Sequence, residues 1–241
     1  WPIGMSPAAL ASALPCISGV GSARGQTRTT HARRHPRSAL ASMTDPAVST
    51  SGGSAKPAKV AVFVSGGGSN LRAIHAATVG QGGFVNAEVV AVVSNLPNCG
   101  GVVWAAENDI PTLVYPPKKG EEGLTPAELV EQLKGVHAAD YVLLAGYLRL
   151  IPAELCRAYA DAMLNIHPAL LPAFGGKGMH GHYVHEAVVA SGARCSGPTV
   201  HFVNEEFDKG KIVAQRVVPV LPDDSADDVA AKVLQEEHKV G

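Results

Sequence analysis

The feature that most constrains this chain is the join between Val60-Ala61-Val62-Phe63-Val64 and Ser65-Gly66-Gly67-Gly68-Ser69-Asn70. An unbroken apolar run, rather than an alternating one, suits a strand with both faces buried, as in a parallel sheet covered by helices. The glycines after it let the backbone turn sharply and pass close to a ligand. A helical stretch from Leu71 to about Ala77 comes next. Strand, glycine-rich turn and helix form the first half of a mononucleotide-binding unit, in which the free N–H groups and positive dipole end of the helix face an anion. Gly68, Ser69 and Asn70 would build that anion site. Two better-known loops do not fit. No Gly-Lys-Ser/Thr comes after the turn, which argues against a P-loop, and a GxGxxG fingerprint begun at Gly66 would need its third glycine at Leu71. A plain tight turn stays open as the alternative for this motif alone.

The pattern continues downstream. Ala87 to Val93 reads as a second strand closed by Ser94-Asn95, Gly101 to Asn108 as a helix, and Thr112-Leu113-Val114-Tyr115 as a third strand. Pro116 to Gly123 is a loop. Thr125 to Lys134 predicts a helix with Thr125 as N-cap and Pro126 at its first position. Tyr141-Val142-Leu143-Leu144-Ala145 is a fourth strand, Pro152 to Tyr159 a short helix, and Met163-Leu164-Asn165-Ile166 a fifth strand. Alternating strands and helices imply an α/β fold with a mostly parallel central sheet and helices on both faces. Thr199-Val200-His201-Phe202-Val203 and Ile212 to Val218 read as a later hairpin, and Asp227 to His238 as a final helix.

Residues 1–57 are of another kind. They are rich in Ala, Ser, Thr and Gly, carry Arg24, Arg28, Arg33, Arg34, Arg37 and Lys56, and hold Asp45 as their only acid. Arg-rich, Ser-rich and acid-poor composition is the mark of an organelle transit peptide, and such a segment buries too little apolar surface to offset its ordering entropy. A disordered leader and linker over 1–57 and one catalytic domain over 58–241 are therefore expected. A simple polar tail is the alternative for the leader. The formal net charge of −1 gives no bulk attraction for nucleic acid or a membrane surface, so an anionic substrate must be held by local groups. No apolar run approaches the ~18 residues that cross a bilayer. Cys16, Cys99, Cys156 and Cys195 form no CxxC pair and no zinc-type cluster, and read as reduced thiols.

Asn165, His167 and Asp208 carry the strongest chemical signal. Asn165 and His167 alternate along a strand end, so both side chains can point to one side, and Pro168 stops the strand. Ligands of open α/β sheets bind beyond the carboxyl ends of the strands. A histidine moves protons near neutral pH, an asparagine amide can hydrogen-bond a developing oxyanion, and a nearby carboxylate would orient the imidazole and raise its pKa. The set suits transfer of an acyl-type group to nitrogen. Each residue alone has a plainer use: a histidine at a strand end is often structural, and Asp208 in Asp-Lys-Gly is a natural turn residue. His201 reads as a partly buried core histidine. His180, His182 and His185 have HxH spacing but no cysteine or carboxylate pair to complete a metal site, so no metal is expected.

Val64-Ser65-Gly66-Gly67-Gly68-Ser69-Asn70-Leu71, Leu144-Ala145-Gly146-Tyr147-Leu148-Arg149-Leu150, Leu164-Asn165-Ile166-His167-Pro168-Ala169-Leu170-Leu171-Pro172, Thr199 to Val203 and Asp208 occur in that order. Together they resemble the phosphoribosylglycinamide formyltransferases, folate-dependent enzymes of purine synthesis, in their plant and algal form. The resemblance covers about residues 59 to 240 and implies a Rossmann-like formyltransferase fold. It implies that Gly68, Ser69 and Asn70 bind the substrate phosphate and Glu237 the ribose. Leu148, Arg149, Leu150 and Ile151, with Asn165, would hold the folate. Asn165, His167 and Asp208 would be catalytic, 10-formyltetrahydrofolate the co-substrate, and a plastid the destination. A formyltetrahydrofolate hydrolase or an inactive nucleotide-binding relative are the alternatives. Three departures stand out. Asp208-Lys209-Gly210-Lys211 replaces the family's Asp-Gly-Gly-Pro. An arginine of bacterial members falls at Leu124-Thr125-Pro126, leaving Lys118 or Lys119 to substitute. Members usually continue beyond the position of Gly241, so a C-terminally truncated domain with an incomplete phosphate-side wall is expected.

Overall fold

The computed structural model describes residues 56–78, 83, 85–121 and 123–240. The leader expected over 1–57 lies outside the described residues except for Lys56 and Pro57. In chain order the elements are β1 (Ala58–Val64), α1 (Ser69–Ala77), β2 (Ala87–Ser94), α2 (Gly100–Glu107), β3 (Thr112–Val114) and α3 (Pro126–Glu131). A π-helical turn over Gln132–Val136 follows, then β4 (Tyr141–Leu144), α4 (Ala153–Ala158), β5 (Met163–His167), α5 (His182–Ser191), β6 (Cys195–Ser196) and β7 (Thr199–Phe202). The last elements are β8 (Ile212–Gln215), β9 (Val218–Pro219) and α6 (Ala226–Val240).

Seven strands form one sheet in the order β3-β2-β1-β4-β5-β7-β8. The first five are parallel, while β7 and β8 run antiparallel. The apolar run of β1 explains the layering. Ala61 and Phe63 join a core containing Leu129, Leu133 and Leu155 from α3, the π turn and α4. Val60, Val62 and Val64 point the other way, into a core with Leu71 of α1 and Ala105 of α2. Alternate residues of one strand thus bury against helices on opposite faces, as the period of two requires. Thr125 caps α3 as expected: its hydroxyl accepts from the Glu128 N–H, and the Glu128 carboxylate accepts from the Thr125 N–H and hydroxyl.

Two expectations change. The strand read over Ile212 to Val218 is two strands, β8 and β9, and a short further strand, β6, precedes the expected partner β7. Thr199↔Gln215 and Ser196↔Val218 keep the same register across the break, so β6–β9 and β7–β8 are one antiparallel ribbon interrupted at Gly197-Pro198. Pro198 has no N–H to give the ladder. Gly197, at φ 142°, lies so close to Arg216 that a Cβ there would sit 1.8 Å from the Arg216 carbonyl oxygen. The second change is α5, which sequence patterning did not resolve. Its apolar signal is short, and it starts after a glycine- and histidine-rich stretch, with Gly192 closing it at φ 71°. Val188 of α5 packs with Val229 and Val233 of α6 and with Val218 and Val220 in a third core.

Phe63 is fully buried at the centre of the sheet and meets Tyr147 edge-on at 5.2 Å between ring centroids. Phe63→Ala is expected to cost about 3–5 kcal/mol, read as a shift of the urea midpoint at unchanged slope; a loss under about 1 kcal/mol would contradict this placement of the core.

Candidate active site

The strand order reverses beside β1: the chain moves outward through β2 and β3, then returns to β4 on the other side. Loops leaving β1 and β4 therefore diverge to opposite faces, and a crevice opens between them at the carboxyl ends of the strands. A cavity of about 740 Å³ occupies this place, within the range of small-molecule sites. Ser65–Asn70 after β1, Leu144–Ile151 after β4 and Asn165–Pro168 at the end of β5 line it, with Gly176–His182, Val203, Asn204, Glu206–Asp208 and α6 closing the sides. Gly68, Ser69, Asn70, Leu148, Arg149, Leu150, Ile151, Asn165, His167, Asp208 and Glu237 all border this one space.

On the β1 side, Gly68 precedes α1 at φ 77°, and a Cβ there would meet Gly101 Cα at 2.7 Å. Glycine is needed for both reasons. No side chain caps α1, so its first N–H groups are open to a ligand, and no acidic residue lies in its first turn. Asn70 Nδ2 donates to Glu237 Oε2 at 2.8 Å, while Asn70 Oδ1 is buried with no partner among the described residues. Burial pushes the Glu237 carboxyl up, partly offset by the Asn70 hydrogen bond and by His238. On the β4 side, Leu148 and Leu150 are half exposed at the cavity and present an apolar surface to it.

The centre is a buried network around Asp208. Asp208 Oδ2 accepts from the Gly176 N–H at 2.8 Å, and Oδ1 lies 3.6 Å from both His167 Nδ1 and His201 Nε2. Asp208 adopts φ 55°, a left-handed turn conformation that aspartate tolerates. Burial raises its pKa, but contact with His201, the Gly176 N–H and the His167 ring together hold it below the usual carboxylate value. His167 is 3% exposed, and its Nε2 lies 2.8 Å from the Phe174 carbonyl oxygen. A carbonyl only accepts, so Nε2 carries the hydrogen and Nδ1 is left to take a proton on the Asp208 side. His201 Nδ1 likewise donates to the Phe202 carbonyl at 2.9 Å, so its Nε2 accepts from Asn165 Nδ2 at 3.0 Å. One amide hydrogen of Asn165 is thereby held, and the second has no partner among the described residues and can face the cavity.

Residues 58–240 match the formyl transferase family. This chain belongs to that family. It is 55% identical over 183 residues to the chloroplastic phosphoribosylglycinamide formyltransferase of Vigna unguiculata, covering 76% of this chain and 58% of that protein. It is 56% identical over 184 residues to the chloroplastic enzyme of the same name from Arabidopsis thaliana, covering 76% and 62%. The chain thus spans about three fifths of the length of these plant relatives. A crystal structure of glycinamide ribonucleotide transformylase 1 from Symbiobacterium toebii superposes with a TM-score of 0.68 at 32% identity, over 77% of this chain and 84% of that one.

Three expectations about the site are revised. A carboxylate beside His167 does raise its pKa, but burial acts more strongly, and the net direction is down, with Asp208 and the Phe174 carbonyl raising it and His201 lowering it. His201 is not a passive core residue: it is 2% exposed, borders the cavity and connects Asn165 to Asp208. The signal for it was its placement on the strand pairing with β5, where Asn165 faces His201 in register. Neither Lys118 nor Lys119 borders the cavity; Lys118 lies 4.0 Å from Glu121 at the surface, and the lining cations are Arg149 and Lys177. His182 sits 3.5 Å from Glu186 and 3.6 Å from Asp227, but among the described residues no group of three or more His, Cys, Asp or Glu could hold a metal.

His167 is expected to stay neutral at pH 7 and to titrate below the ordinary value of about 6.5. The unfolded chain then takes up this proton first, so His167 subtracts stability as pH falls below about 6.5. Asp208→Asn removes the attraction for imidazolium and should move the titration lower still. An NMR titration of the ring carbons measures both, and an upward shift in the variant would contradict the pairing.

Proposed function

We propose that this chain transfers the formyl group of 10-formyltetrahydrofolate to the amino group of glycinamide ribonucleotide, in purine (IMP) synthesis. The observation that carries this reading is the meeting, in one cavity, of an uncapped helix N-terminus, an exposed leucine surface and the Asn165–His167–Asp208 network between them. The phosphate would sit on the N–H groups of Gly68, Ser69 and Asn70, where helix dipole and free donors favour an anion. Asn70 Oδ1 and the Glu237 carboxylate offer acceptors for ribose hydroxyls. Leu148, Arg149, Leu150 and Ile151 would hold the pterin. The Vigna unguiculata and Arabidopsis thaliana relatives share this activity in their names and are chloroplastic. With the basic, acid-poor composition of residues 1–57, they support a transit leader, plastid location and a formyltransferase domain from residue 58.

The chemistry arises from the network. The substrate amine attacks the formyl carbon, and the carbonyl oxygen takes up negative charge in a tetrahedral intermediate. The free amide hydrogen of Asn165 stabilises that oxyanion. His167, neutral at the outset, accepts the amine proton at Nδ1. The imidazolium formed is bracketed by the Phe174 carbonyl and Asp208, which offsets part of its burial cost. The same proton passes to N10 as the carbon–N10 bond breaks, leaving formylated ribonucleotide and tetrahydrofolate. No covalent bond to the enzyme forms.

Incubation with 10-formyl-5,8-dideazafolate should give deformylation that depends on glycinamide ribonucleotide. Turnover without the ribonucleotide would favour a hydrolase, with water as acceptor; no turnover in either case would favour an inactive relative. His167→Ala is expected to lower kcat by about 10²–10⁴-fold while still binding the folate analogue. Near-normal turnover in that variant would remove His167 from the proton path.

A further inference from the structure

Ser65 neither moves a proton nor stabilises the oxyanion, yet three loops of the site meet at its side chain. It is 7% exposed and immediately precedes the glycines of the anion-binding loop. Its Oγ donates to Asn95 Oδ1 at 2.6 Å and accepts the Leu148 N–H at 3.0 Å. Its own N–H donates to the Gly146 carbonyl at 3.2 Å. The polarity is forced, because the Leu148 N–H can only donate and the Asn95 amide oxygen can only accept. Asn95, Ser65 and Leu148 lie beyond the carboxyl ends of β2, β1 and β4, which are adjacent in the sheet. Leu148 is the first residue of the cavity-lining segment Leu148–Ile151, and Gly146 turns into it at φ 74°.

We propose that Ser65 is a positioning residue for the formyl donor: its hydroxyl holds the Leu148 backbone at a set distance from the anion-binding loop, and so sets where the folate ring lies relative to the ribonucleotide. This rests on the formyl-transfer reading of the cavity. The ribonucleotide side does not depend on this hydroxyl, because Gly68, Ser69 and Asn70 are fixed instead by α1 and by the packing of Gly68 on Gly101. Loss of the hydroxyl should therefore be felt selectively by the folate.

The test is steady-state kinetics on the full chain with each substrate varied, together with fluorescence titration of 10-formyl-5,8-dideazafolate. Ser65→Ala should raise donor KM and analogue Kd roughly tenfold, about 1.4 kcal/mol, with ribonucleotide KM and kcat within about threefold of wild type. Ser65→Thr keeps Oγ and should recover most of the donor affinity. Asn95→Ala, which frees the hydroxyl to rotate, should raise donor KM about threefold and serves as the deciding variant if Ser65→Ala does not fold. An unchanged donor KM and Kd, or an equal rise in both KM values, overturns the proposal. A wild-type protein without ribonucleotide-dependent turnover sinks the transferase reading instead, and the titration then still tests Ser65 alone.

Discussion

Burial of β1 on both faces is the constraint on which the rest of the structure depends. Val62, Phe63 and Val64 are wholly inaccessible, packed between α1 and α2 on one side and α3, the π turn and α4 on the other. A strand covered in this way leaves only its ends for a ligand. Because the chain order reverses next to β1, its loop and that of β4 separate to opposite faces, and the gap between them cannot close. β5 lies one strand further and delivers Asn165 and His167 to the same end. The position of the cavity is thus a consequence of strand order, and its chemistry a consequence of the loops that leave each strand.

The centre of the cavity balances two opposing effects. Burial disfavours imidazolium at His167, while the Asp208 carboxylate and the Phe174 carbonyl favour it, and burial prevails. In the proposed reaction, a proton acceptor that begins neutral would suit attack by an amine, and a conjugate acid with ready-made partners would suit the step after it. Against its desolvation, Asp208 is held below the usual carboxylate value by the positive charge that His201 and His167 carry when protonated and by the Gly176 N–H. The loop carrying Gly176 comes close only because Gly175 has no side chain; a Cβ there would lie 2.4 Å from Leu171 Cδ2 and 3.2 Å from Asp208 Cβ.

Much of the fold was legible in the sequence because the parallel strands are continuous apolar runs and the turns between them carry glycine, proline or a capping residue. The Thr125-Pro126 start of α3 is the clearest case. Elements that depend on distant partners were harder. α5 is recognisable only once Val184 and Val188 have something to bury against. The break of the later ribbon at Gly197-Pro198 comes from a close approach to Arg216, some twenty positions away along the chain. His201 is an ordinary strand histidine until β7 is placed beside β5.

The sequence by itself determined the class of the fold, the glycine-rich turn that leads from β1 into α1 and the residue types at the centre, because hydrophobic periodicity and turn chemistry act over a few neighbouring residues. Only the tertiary structure decided the electrostatics of that centre. The tautomers of His167 and His201, the free hydrogen of Asn165, the downward shift of His167 and the joint at Ser65 all arise from groups that the chain order keeps apart. Hydrogen-bond polarity and desolvation depend on three-dimensional neighbours, and those exist only once the sheet has assembled.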